Sequence, residues 1–529
     1  MLILQSISYT HPNKDLLFSN IDLNLNKYQK AALIGNNGAG KSTLLKLITG
    51  TFQPANGSVF TSSKPYYIPQ IFGQFNHLTV AQALQVEAKL KAFKEILNGE
   101  ANEENLLILD DDWTIEDRCF AALAYWKLQN LDLHQKMETL SGGQKTKVFL
   151  AGIAIHQPEI ILLDEPSNHL DAESRQLLYD FIQHTSATLL VVSHDRKLLN
   201  LLDSVYELSW HGIKMYSGNY EFYAEQKQLE TNALNLDIKS KERALRQAKE
   251  VARETLERQQ KLDALGKKKQ EKAGMPTIVM NTLRNNAEKS TARIKDVHAE
   301  KTDNLAQELT QLRQERSATD KMKFGFDNAA LHKGKILFAA KDLNFGYGAK
   351  MLWEQHLTIS LTSGERIAVK GANGSGKTTL IKLILGELKP QNGMVQRAGT
   401  QAVYIDQDYS LIDNQLTVYE QAQKFNATSL LEHEIKIRLN RFLFAKDYWD
   451  KPCAALSGGE KMRLALCCLT IANKAPDMII LDEPTNNLDI QNIEILTAAI
   501  NEYEGTLLVI SHDAVFLEQI GVSGEICLE

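Results

Sequence analysis

The chain has 529 residues, of which 43% are hydrophobic and 23% are charged, the balance of a globular protein with sizeable cores. Its formal net charge of −6 excludes a uniformly basic nucleic-acid coat and leaves only a local patch for such binding. The five cysteines form no CxxC pair, so we expect reduced thiols in a cytoplasm and neither a disulfide framework nor a zinc site. No apolar run reaches the ~18–20 residues that span a bilayer, and we expect no secretory signal.

The first distinctive motif in chain order is a glycine-rich loop, GNNGAGKST, at residues 35–43. It matches GxxxxGK[ST], in which backbone N–H groups surround a phosphate at the start of a helix. An apolar segment predicted to be a strand precedes it and a predicted helix follows, which is the context the motif requires. We predict that Lys41 reaches the β- and γ-phosphates of ATP and that Ser42 supplies a hydroxyl to Mg²⁺. The predicted phosphate loop comprises Gly35, Asn36, Asn37, Gly38, Ala39, Gly40, Lys41, Ser42 and Thr43.

Three further motifs follow in the first half of the chain. LSGGQ at 140–144 is predicted to open a helix whose first N–H groups can bind a phosphate. The apolar segment 160–163 is predicted to be a buried strand that ends at Asp164 and Glu165, an aspartate for Mg²⁺ and a glutamate that polarises the attacking water. His194 follows another apolar strand. Taken alone, each motif has a simpler interpretation: a turn for LSGGQ, a helix-capping pair for Asp164 and Glu165, and a strand-end cap for His194. Their occurrence together favours the functional interpretation.

Residues 228–321 form a different kind of segment, rich in Ala, Glu, Lys, Arg, Gln and Leu, with apolar residues every three or four positions. The pattern predicts two long helices broken at residues 273–276, which could form an antiparallel hairpin. Ten basic and three acidic residues lie between 258 and 295, so the predicted tip carries +7 and suits contact with RNA phosphates. A solvated helix face is the alternative. The predicted RNA-binding residues are Lys267, Lys268, Lys269, Lys272 and Arg284.

The second half repeats the four motifs in the same order, as GANGSGKTT at 371–379, LSGGE at 456–460, ILDEP at 480–484 and ISHD at 510–513. Such repetition predicts a duplicated α/β domain. The first copy holds about 21 extra residues, which we assign to a helical insertion at about 84–112. We therefore predict nucleotide-binding domains at 1–227 and 322–529, with the hairpin linker at 228–321. The second phosphate loop comprises Gly371, Ala372, Asn373, Gly374, Ser375, Gly376, Lys377, Thr378 and Thr379.

In this order the motifs resemble those of the ABC ATPases. The resemblance implies catalytic glutamates at Glu165 and Glu483, switch histidines at His194 and His512, and a signature loop that contacts the nucleotide of the opposite domain. It also implies an aromatic ring that stacks on adenine, for which Tyr9 and Tyr347 stand at suitable positions, although both could be ordinary strand aromatics. The implied Mg²⁺ residues are Ser42, Gln70, Asp164, Thr378, Gln407 and Asp482. The implied signature residues are Ser141, Gly142, Gly143, Gln144, Ser457, Gly458, Gly459 and Glu460.

The stretch YSGNY at 216–220, followed by Tyr223 and Lys227, is similar to the end of the first cassette in the ABC-F family. The resemblance implies a cytoplasmic, monomeric ATPase whose two cassettes close head to tail around two Mg·ATP. It also implies a ribosome partner, with the linker near ribosomal RNA and P-site tRNA and the short insertion as a ribosome-contacting arm. Housekeeping translation and ribosome protection against an antibiotic both fit. The rival interpretations are a DNA-associated ABC ATPase and the ATPase subunit of a transporter, and we expect no membrane partner.

Overall fold

The structure of the chain is a computed structural model. It describes all residues except 12–15, 71–72, 210–211, 273–276, 316–333, 349, 400, 428–429, 473, 487 and 529. The chain divides into two compact units, Met1–Glu221 together with Lys321–Glu529, and Phe222–Asp320. Within the described residues, no helix is both long and apolar enough to cross a membrane.

The first cassette combines a mostly parallel sheet with helices. Its strands are β1 (Leu2–Thr10), β2 (Leu16–Leu25), β3 (Lys30–Ile34), β4 (Asn56–Thr61), β5 (Tyr66–Ile68), β6 (Ile160–Asp164), β7 (Thr188–Val192), β8 (Ser204–Ser209) and β9 (Gly212–Tyr216). Its helices are α1 (Lys41–Ile48), α2 (Val80–Ala83), α3 (Glu87–Leu97), α4 (Glu103–Leu109), α5 (Ile115–Tyr125), α6 (Gly142–His156), α7 (Ala172–His184) and α8 (Arg196–Leu199).

The strands of this cassette form a six-stranded sheet in the order β5-β6-β7-β3-β8-β9 and a three-stranded antiparallel sheet in the order β2-β1-β4. Only the β8–β9 pair of the larger sheet is antiparallel. Every residue of β6 and β7 is buried, which explains their continuous apolar sequences, since a parallel sheet is covered on both faces. The carboxyl ends of β3, β6 and β7 meet at one edge, where ligands bind in such folds.

The linker consists of two long helices, α9 (Tyr220–Lys272, 53 residues) and α10 (Thr277–Glu315, 39 residues). They are antiparallel, because Lys241 in the first half of α9 pairs with Glu308 near the end of α10, whereas Gln260 farther along α9 lines one groove with Lys295 and His298 earlier in α10. Ile238 and Leu309 are buried. Helix α9 begins at Tyr220 rather than near the predicted boundary at 228, since the Asn200 side-chain oxygen accepts a hydrogen bond from Glu221 N (2.9 Å). The side chains of the five predicted RNA-binding residues, Lys267, Lys268, Lys269, Lys272 and Arg284, lie outside the described part of the chain.

The second cassette repeats the architecture of the first. Its strands are β10 (Ile336–Asn344), β11 (Gly346–Tyr347), β12 (Lys350–Met351), β13 (Leu357–Thr362), β14 (Arg366–Gly371), β15 (Asn392–Arg397), β16 (Ala402–Ile405), β17 (Met478–Asp482), β18 (Thr506–Ile510) and β19 (Gly524–Leu528). Its helices are α11 (Lys377–Leu385), α12 (Val418–Lys424), α13 (Glu432–Arg441), α14 (Gly458–Ile471), α15 (Ile490–Glu502) and α16 (Ala514–Gln519). The main sheet is parallel, in the order β16-β17-β18-β14-β19.

The fold class predicted from the sequence is confirmed: two tandem α/β cassettes are joined by long helices. The insertion of the first cassette, predicted to be helical at about 84–112, contains the two helices α3 and α4. Helix α4 starts anew because the Asn102 side chain accepts a hydrogen bond from Asn105 N, the usual role of a helix N-cap. In the second cassette α12 is followed directly by α13, so the two extra helices account for the longer first copy.

Candidate functional site

Each phosphate loop lies between a central strand and a helix, as the sequence predicts. The first connects β3 to α1, and the second connects β14 to α11. The residue before each helix is a glycine with a left-handed φ, 96° at Gly40 and 91° at Gly376. A Cβ at Gly40 would lie 2.8 Å from both the Phe18 ring and a Leu17 methyl, so only glycine allows this close turn.

The two loop lysines are held by the loops themselves. Lys41 Nζ donates to the carbonyls of Gly35 (2.6 Å) and Asn36 (3.3 Å), and Lys377 Nζ makes the corresponding bonds to Gly371 (2.7 Å) and Ala372 (3.1 Å). Burial lowers the pKa of both lysines, while nearby carboxylates oppose the shift. Both ammonium groups therefore stand inside their loops, where a phosphate would be bound.

Asp164 and Asp482 end the buried strands β6 and β17. Asp164 Oδ2 accepts a hydrogen bond from Tyr67 (3.2 Å) and Asp482 Oδ2 from Tyr404 (2.8 Å). Burial raises the pKa of both aspartates, and hydrogen bonds from these tyrosines and from Ser42 or Thr378 oppose the shift.

These groups suit a hard cation. Among the described residues, the buried Asp164 Oδ1 has no hydrogen-bond partner, and the hydroxyls of Ser42 and Thr378 lie beside the two aspartates. An orphaned carboxylate oxygen next to a hydroxyl is the oxygen-only donor set that Mg²⁺ prefers. The residues present therefore fit Mg²⁺ at both sites.

The tyrosines that contact the aspartates were missed by the sequence interpretation. Tyr67 and Tyr404 each stand three residues before the predicted glutamines, Gln70 and Gln407, in the segments YYIPQ and VYIDQ. The repeated Tyr-Ile-x-Gln pattern was the available signal. Because β5 lies beside β6 and β16 beside β17, the phenols reach across one strand to the carboxylates.

Glu165 and Glu483 adopt left-handed backbone conformations, with φ of 51° and 48°. Such conformations cost a non-glycine residue about 1–3 kcal/mol and concentrate at functional sites. They are held because Glu165 N donates to Val192 O and Glu483 N to Ile510 O, each at 2.8 Å. Each glutamate is thereby fixed to the strand that precedes its partner histidine.

The histidines lie next to these glutamates. His194 Nε2 is 3.3 Å from Glu165 Oε1, and His512 Nε2 is 3.4 Å from Glu483 Oε1. Burial raises the pKa of Glu165 above its usual range and that of Glu483 to about 7. Burial also lowers the pKa of His194, and that of His512 to about 4. Both histidines are therefore neutral near pH 7, and burial shifts the pKa of both glutamates upward from its ordinary value, in the direction that strengthens a general base.

The two candidate adenine-stacking tyrosines differ. Tyr9 stacks on Phe52, with ring centroids 5.8 Å apart and an interplanar angle of 13°, so one face of its ring is covered. Tyr347 is 65% exposed, and its hydroxyl lies 3.3 Å from Thr379 Oγ1 at the start of α11. The second tyrosine therefore presents more open ring surface beside its phosphate loop.

The two signature loops form matching helix starts. Ser141 and Ser457 are the N-caps of α6 and α14, and their hydroxyls accept hydrogen bonds from Gln144 N and Glu460 N. The side chains of those two residues accept from the serine N–H groups in return, which completes a capping box. The N–H groups of the signature glycines lie in the first turn, where a helix attracts an anion.

The cassettes meet through two loops that follow the Asp-Glu pairs. We call residues 167–171 (SNHLD) and 485–489 (TNNLD) the crossing loops; Asn487 lies outside the described residues. Asn37 N of the first phosphate loop donates to Asp489 Oδ2 (2.9 Å), and Asn373 Nδ2 of the second donates to His169 O (3.0 Å). Gln407 Nε2 lies 3.5 Å from His169 Nδ1. The sequence interpretation missed these loops, although their repetition was visible.

The first signature loop also lies beside the second phosphate loop. A Cβ added to Gly143 would stand 3.1 Å from Asn373 Nδ2. Each phosphate loop therefore faces the opposite cassette, in the head-to-tail manner that the resemblance implies. The fold and these sites together define a pair of P-loop nucleotide-binding cassettes within one chain.

Comparisons with known proteins narrow this class. The ABC transporter family model matches residues 18–168 and 355–486. The chain is 30% identical to YfmM of Bacillus subtilis, described as an uncharacterized ABC transporter ATP-binding protein, over 95% of this chain and 94% of that protein. It is 29% identical to the ABC transporter F family member 5 of Arabidopsis thaliana, over 93% of this chain and 70% of that protein.

A solved structure shares the fold. The archaeal ribosome recycling factor aABCE1, in complex with the ribosomal stalk protein aP1, superposes with a TM-score of 0.60 at 20% identity, covering 97% of this chain and 86% of that one. The chain belongs to the ABC family of ATP-binding proteins and, within it, to the ABC-F type.

Proposed function

We propose that this protein hydrolyses ATP at two composite sites and that ATP-driven closure of its cassettes controls its binding to the ribosome. Site one combines the phosphate loop, Asp164, Glu165 and His194 of the first cassette with the signature loop of the second. Site two is the reverse, with Lys377, Asp482, Glu483 and His512. The observation that carries the proposal is that both phosphate loops already hydrogen-bond to the opposite cassette, at Asp489 and His169.

The side chains have distinct tasks in this proposal. When ATP binds, Lys41 and Lys377 give up their hydrogen bonds to the loop carbonyls and bind phosphate oxygens instead. Each ammonium group is then paired with a negative charge. Glu165 and Glu483 orient a water molecule and accept its proton, a task suited to their raised pKa. The neutral His194 and His512 donate an N–H to the γ-phosphate and keep the water aligned.

Mg²⁺ bound with ATP, as ATPases of this family generally use it, would offset charge on the phosphate oxygens. Ser42 and Asp164 would hold it at site one, and Thr378 and Asp482 at site two, with Gln70 and Gln407 as further oxygen donors. Tyr67 and Tyr404 orient the two aspartates, as hydrogen-bonding residues behind metal ligands usually do.

The ribosome enters the proposal through the ABC-F type and the linker. Helix α9, at 53 residues, is about 80 Å long, which suits action at a distance from an ATPase site. The +7 charge of residues 258–295 would bind RNA phosphates, and the rest of the chain is acidic. A ribosome partner places the protein in the cytoplasm, and protection from an antibiotic would be one form of this action.

Co-sedimentation with ribosomes tests the closure step. The variant Glu165→Gln/Glu483→Gln should pellet with ribosomes in ATP, because it binds ATP but cannot hydrolyse it. Adding Ser457→Arg should abolish pelleting, because a bulky cation at the signature serine blocks closure over the first cassette's nucleotide. If the triple variant pellets as well as the double variant, ATP-driven closure does not control ribosome binding.

A second experiment tests the linker. Replacing Lys267, Lys268, Lys269 and Lys272 with Gln should weaken ribosome binding and flatten its salt dependence, because fewer counterions are released. A matched control removes the same charge from exposed positions nearer the base of the hairpin: Lys239, Arg243, Lys249 and Lys301. Equal salt slopes for the two variants would contradict a role for the basic tip.

A further inference from the structure

The two crossing loops are followed by helices that differ at one buried position. Arg175 lies in the first turn of α7 and is 8% exposed, while the matched residue of α15, 318 positions later in the chain, is Ile493, at 3% exposure. A buried guanidinium needs partners, because its desolvation is costly. The groups that contact Arg175 therefore indicate what it does in the first cassette.

Arg175 is anchored to its own crossing loop. Its Nε donates to Leu170 O at 3.1 Å, and the neighbouring carbonyl, that of His169, accepts the hydrogen bond from Asn373 Nδ2 of the second phosphate loop. The guanidinium thus fixes the peptide next to the one that touches the opposite cassette. The side chain of Ile493 has no hydrogen-bond donor, so it cannot hold the corresponding peptide of the second crossing loop in the same way.

Arg175 also faces the catalytic pair of the second cassette. A cavity of about 270 Å³ is lined by Arg175 and Tyr179 from one side and by His512 and Asp513 from the other. His512 Nε2 is itself 3.4 Å from Glu483 Oε1, so Arg175 shares a cavity with the histidine of that pair. The matched residue of the second cassette, Ile493, carries no charge that could face site one.

We propose that Arg175 is a positioning residue which the first cassette supplies to site two and which makes the two ATP sites unequal. It holds the crossing loop against the second phosphate loop and keeps a positive charge in the cavity that His512 lines, whereas Ile493 provides neither for site one. Site two is therefore the faster hydrolytic site once the cassettes have closed. This inference rests on the proposed ATPase function.

Single-turnover hydrolysis in one-site variants tests it, because hydrolysis of pre-bound ATP does not require the cassettes to reopen. Glu165→Gln leaves site two competent, and Glu483→Gln leaves site one. Arg175→Ile, which copies the residue at the matched position, should slow hydrolysis ~10–100-fold at site two, the usual effect of a misplaced catalytic group. In the Glu483→Gln background the rate should change less than about twofold on the same reasoning.

Two further variants separate positioning from folding. Arg175→Lys should restore part of the rate at site two without changing the ATP concentration that half-saturates it, because the charge returns but the fixed hydrogen-bond geometry does not. Ile493→Val, a trimmed core residue at the matched position, should leave the rates of both sites unchanged.

The outcomes are distinguishable. A loss confined to site two, with partial rescue by lysine, supports the proposal. Equal losses at both sites, or none at either, would overturn it in favour of a purely structural arginine. Hydrolysis that persists when Glu165 and Glu483 are both Gln would overturn the proposed function itself, and the role of Arg175 with it.

Discussion

The two nucleotide sites contain the same kinds of groups from their own cassettes and differ in the residues that the opposite cassette contributes. Within each cassette, a lysine bonds the carbonyls of its own loop, a tyrosine bonds the aspartate that we propose holds Mg²⁺, and a neutral histidine lies beside a strained glutamate. At the interface, the first cassette has a buried arginine, Arg175, where the second has a buried isoleucine, Ile493. The two copies of the duplicated cassette therefore keep the same geometry at their strand ends, whereas the residues that each presents to the other have diverged.

This difference has a physical basis. The inner groups are held by strand order and backbone bonds, which leave few alternatives for a side chain that must reach the same point. The interface groups lie on crossing loops and on α7 and α15, where several side chains can fill the same space. The following substitutions, from the largest expected effect to the smallest, test whether contacts within a cassette and contacts between the cassettes behave differently.

The glutamates should produce the largest effect. Changing Glu165 and Glu483 together to Gln removes both bases while keeping shape, so ATP turnover should fall ~10²–10⁴-fold. Steady-state ATPase assays measure this, with equilibrium binding of labelled ATP as the control for intact sites. Turnover near the wild-type level would refute the assignment of both glutamates.

The tyrosines behind the aspartates test the shared inner chemistry. Tyr67→Phe and Tyr404→Phe should each raise the Mg²⁺ concentration needed for activity, by ~10–100-fold at the affected site, as for other residues that orient metal ligands. Single-site backgrounds and Mg²⁺ titrations measure the two effects, which should be similar. Tyr206→Phe is the matched control, because that phenol donates its hydrogen bond to the backbone carbonyl of Asn24 in β2. A clear inequality between the two tyrosines would break the symmetry we describe.

Asp489 tests the unequal interface. Asp489→Asn keeps Oδ1 as the N-cap acceptor of α15 but replaces Oδ2, the acceptor for Asn37 N, by an NH2 group that can only donate. The hydrogen bond to Asn37 N is therefore lost, at a cost of about 1 kcal/mol. The ATP concentration that half-saturates site one should therefore rise about fivefold, measured in the Glu483→Gln background. Asp171→Asn, the matched change in the first crossing loop, should have a smaller effect on site two, where the phosphate loop bonds His169 O.

The smallest effect is expected at the ion pair between Arg196 and Glu494, whose closest atoms are 3.5 Å apart. The glutamate side chain is 52% exposed, and such pairs contribute below about 1 kcal/mol. Glu494→Gln, which copies Gln176 at the matched position of the first cassette, should barely change the free energy of unfolding in urea. A loss of several kcal/mol would mean that this contact, rather than the crossing loops, holds the cassettes together.

Several elements were predictable because their determinants are local. A phosphate loop is specified by glycines and a lysine within nine residues, so its strand and helix follow from a short sequence. The Asp-Glu pairs follow apolar segments that could only be buried strands. Element boundaries were less accurate: α9 begins at Tyr220, where Asn200 caps it, and the insertion divides at Asn102, because these starts depend on individual hydrogen bonds.

By itself, the sequence determined the duplication, the order of motifs, the helical linker and the identity of the groups at each strand end. Only the tertiary structure decided which groups meet across the interface and how burial changes their chemistry. Asn37 and Asp489 are 452 residues apart, and Arg175 lies 308 positions before Glu483 of site two. No local pattern encodes such contacts, since they arise from the packing of two folded cassettes. The raised pKa of Glu483 likewise comes from the protein around it, which removes water from a carboxylate that would otherwise be ionised.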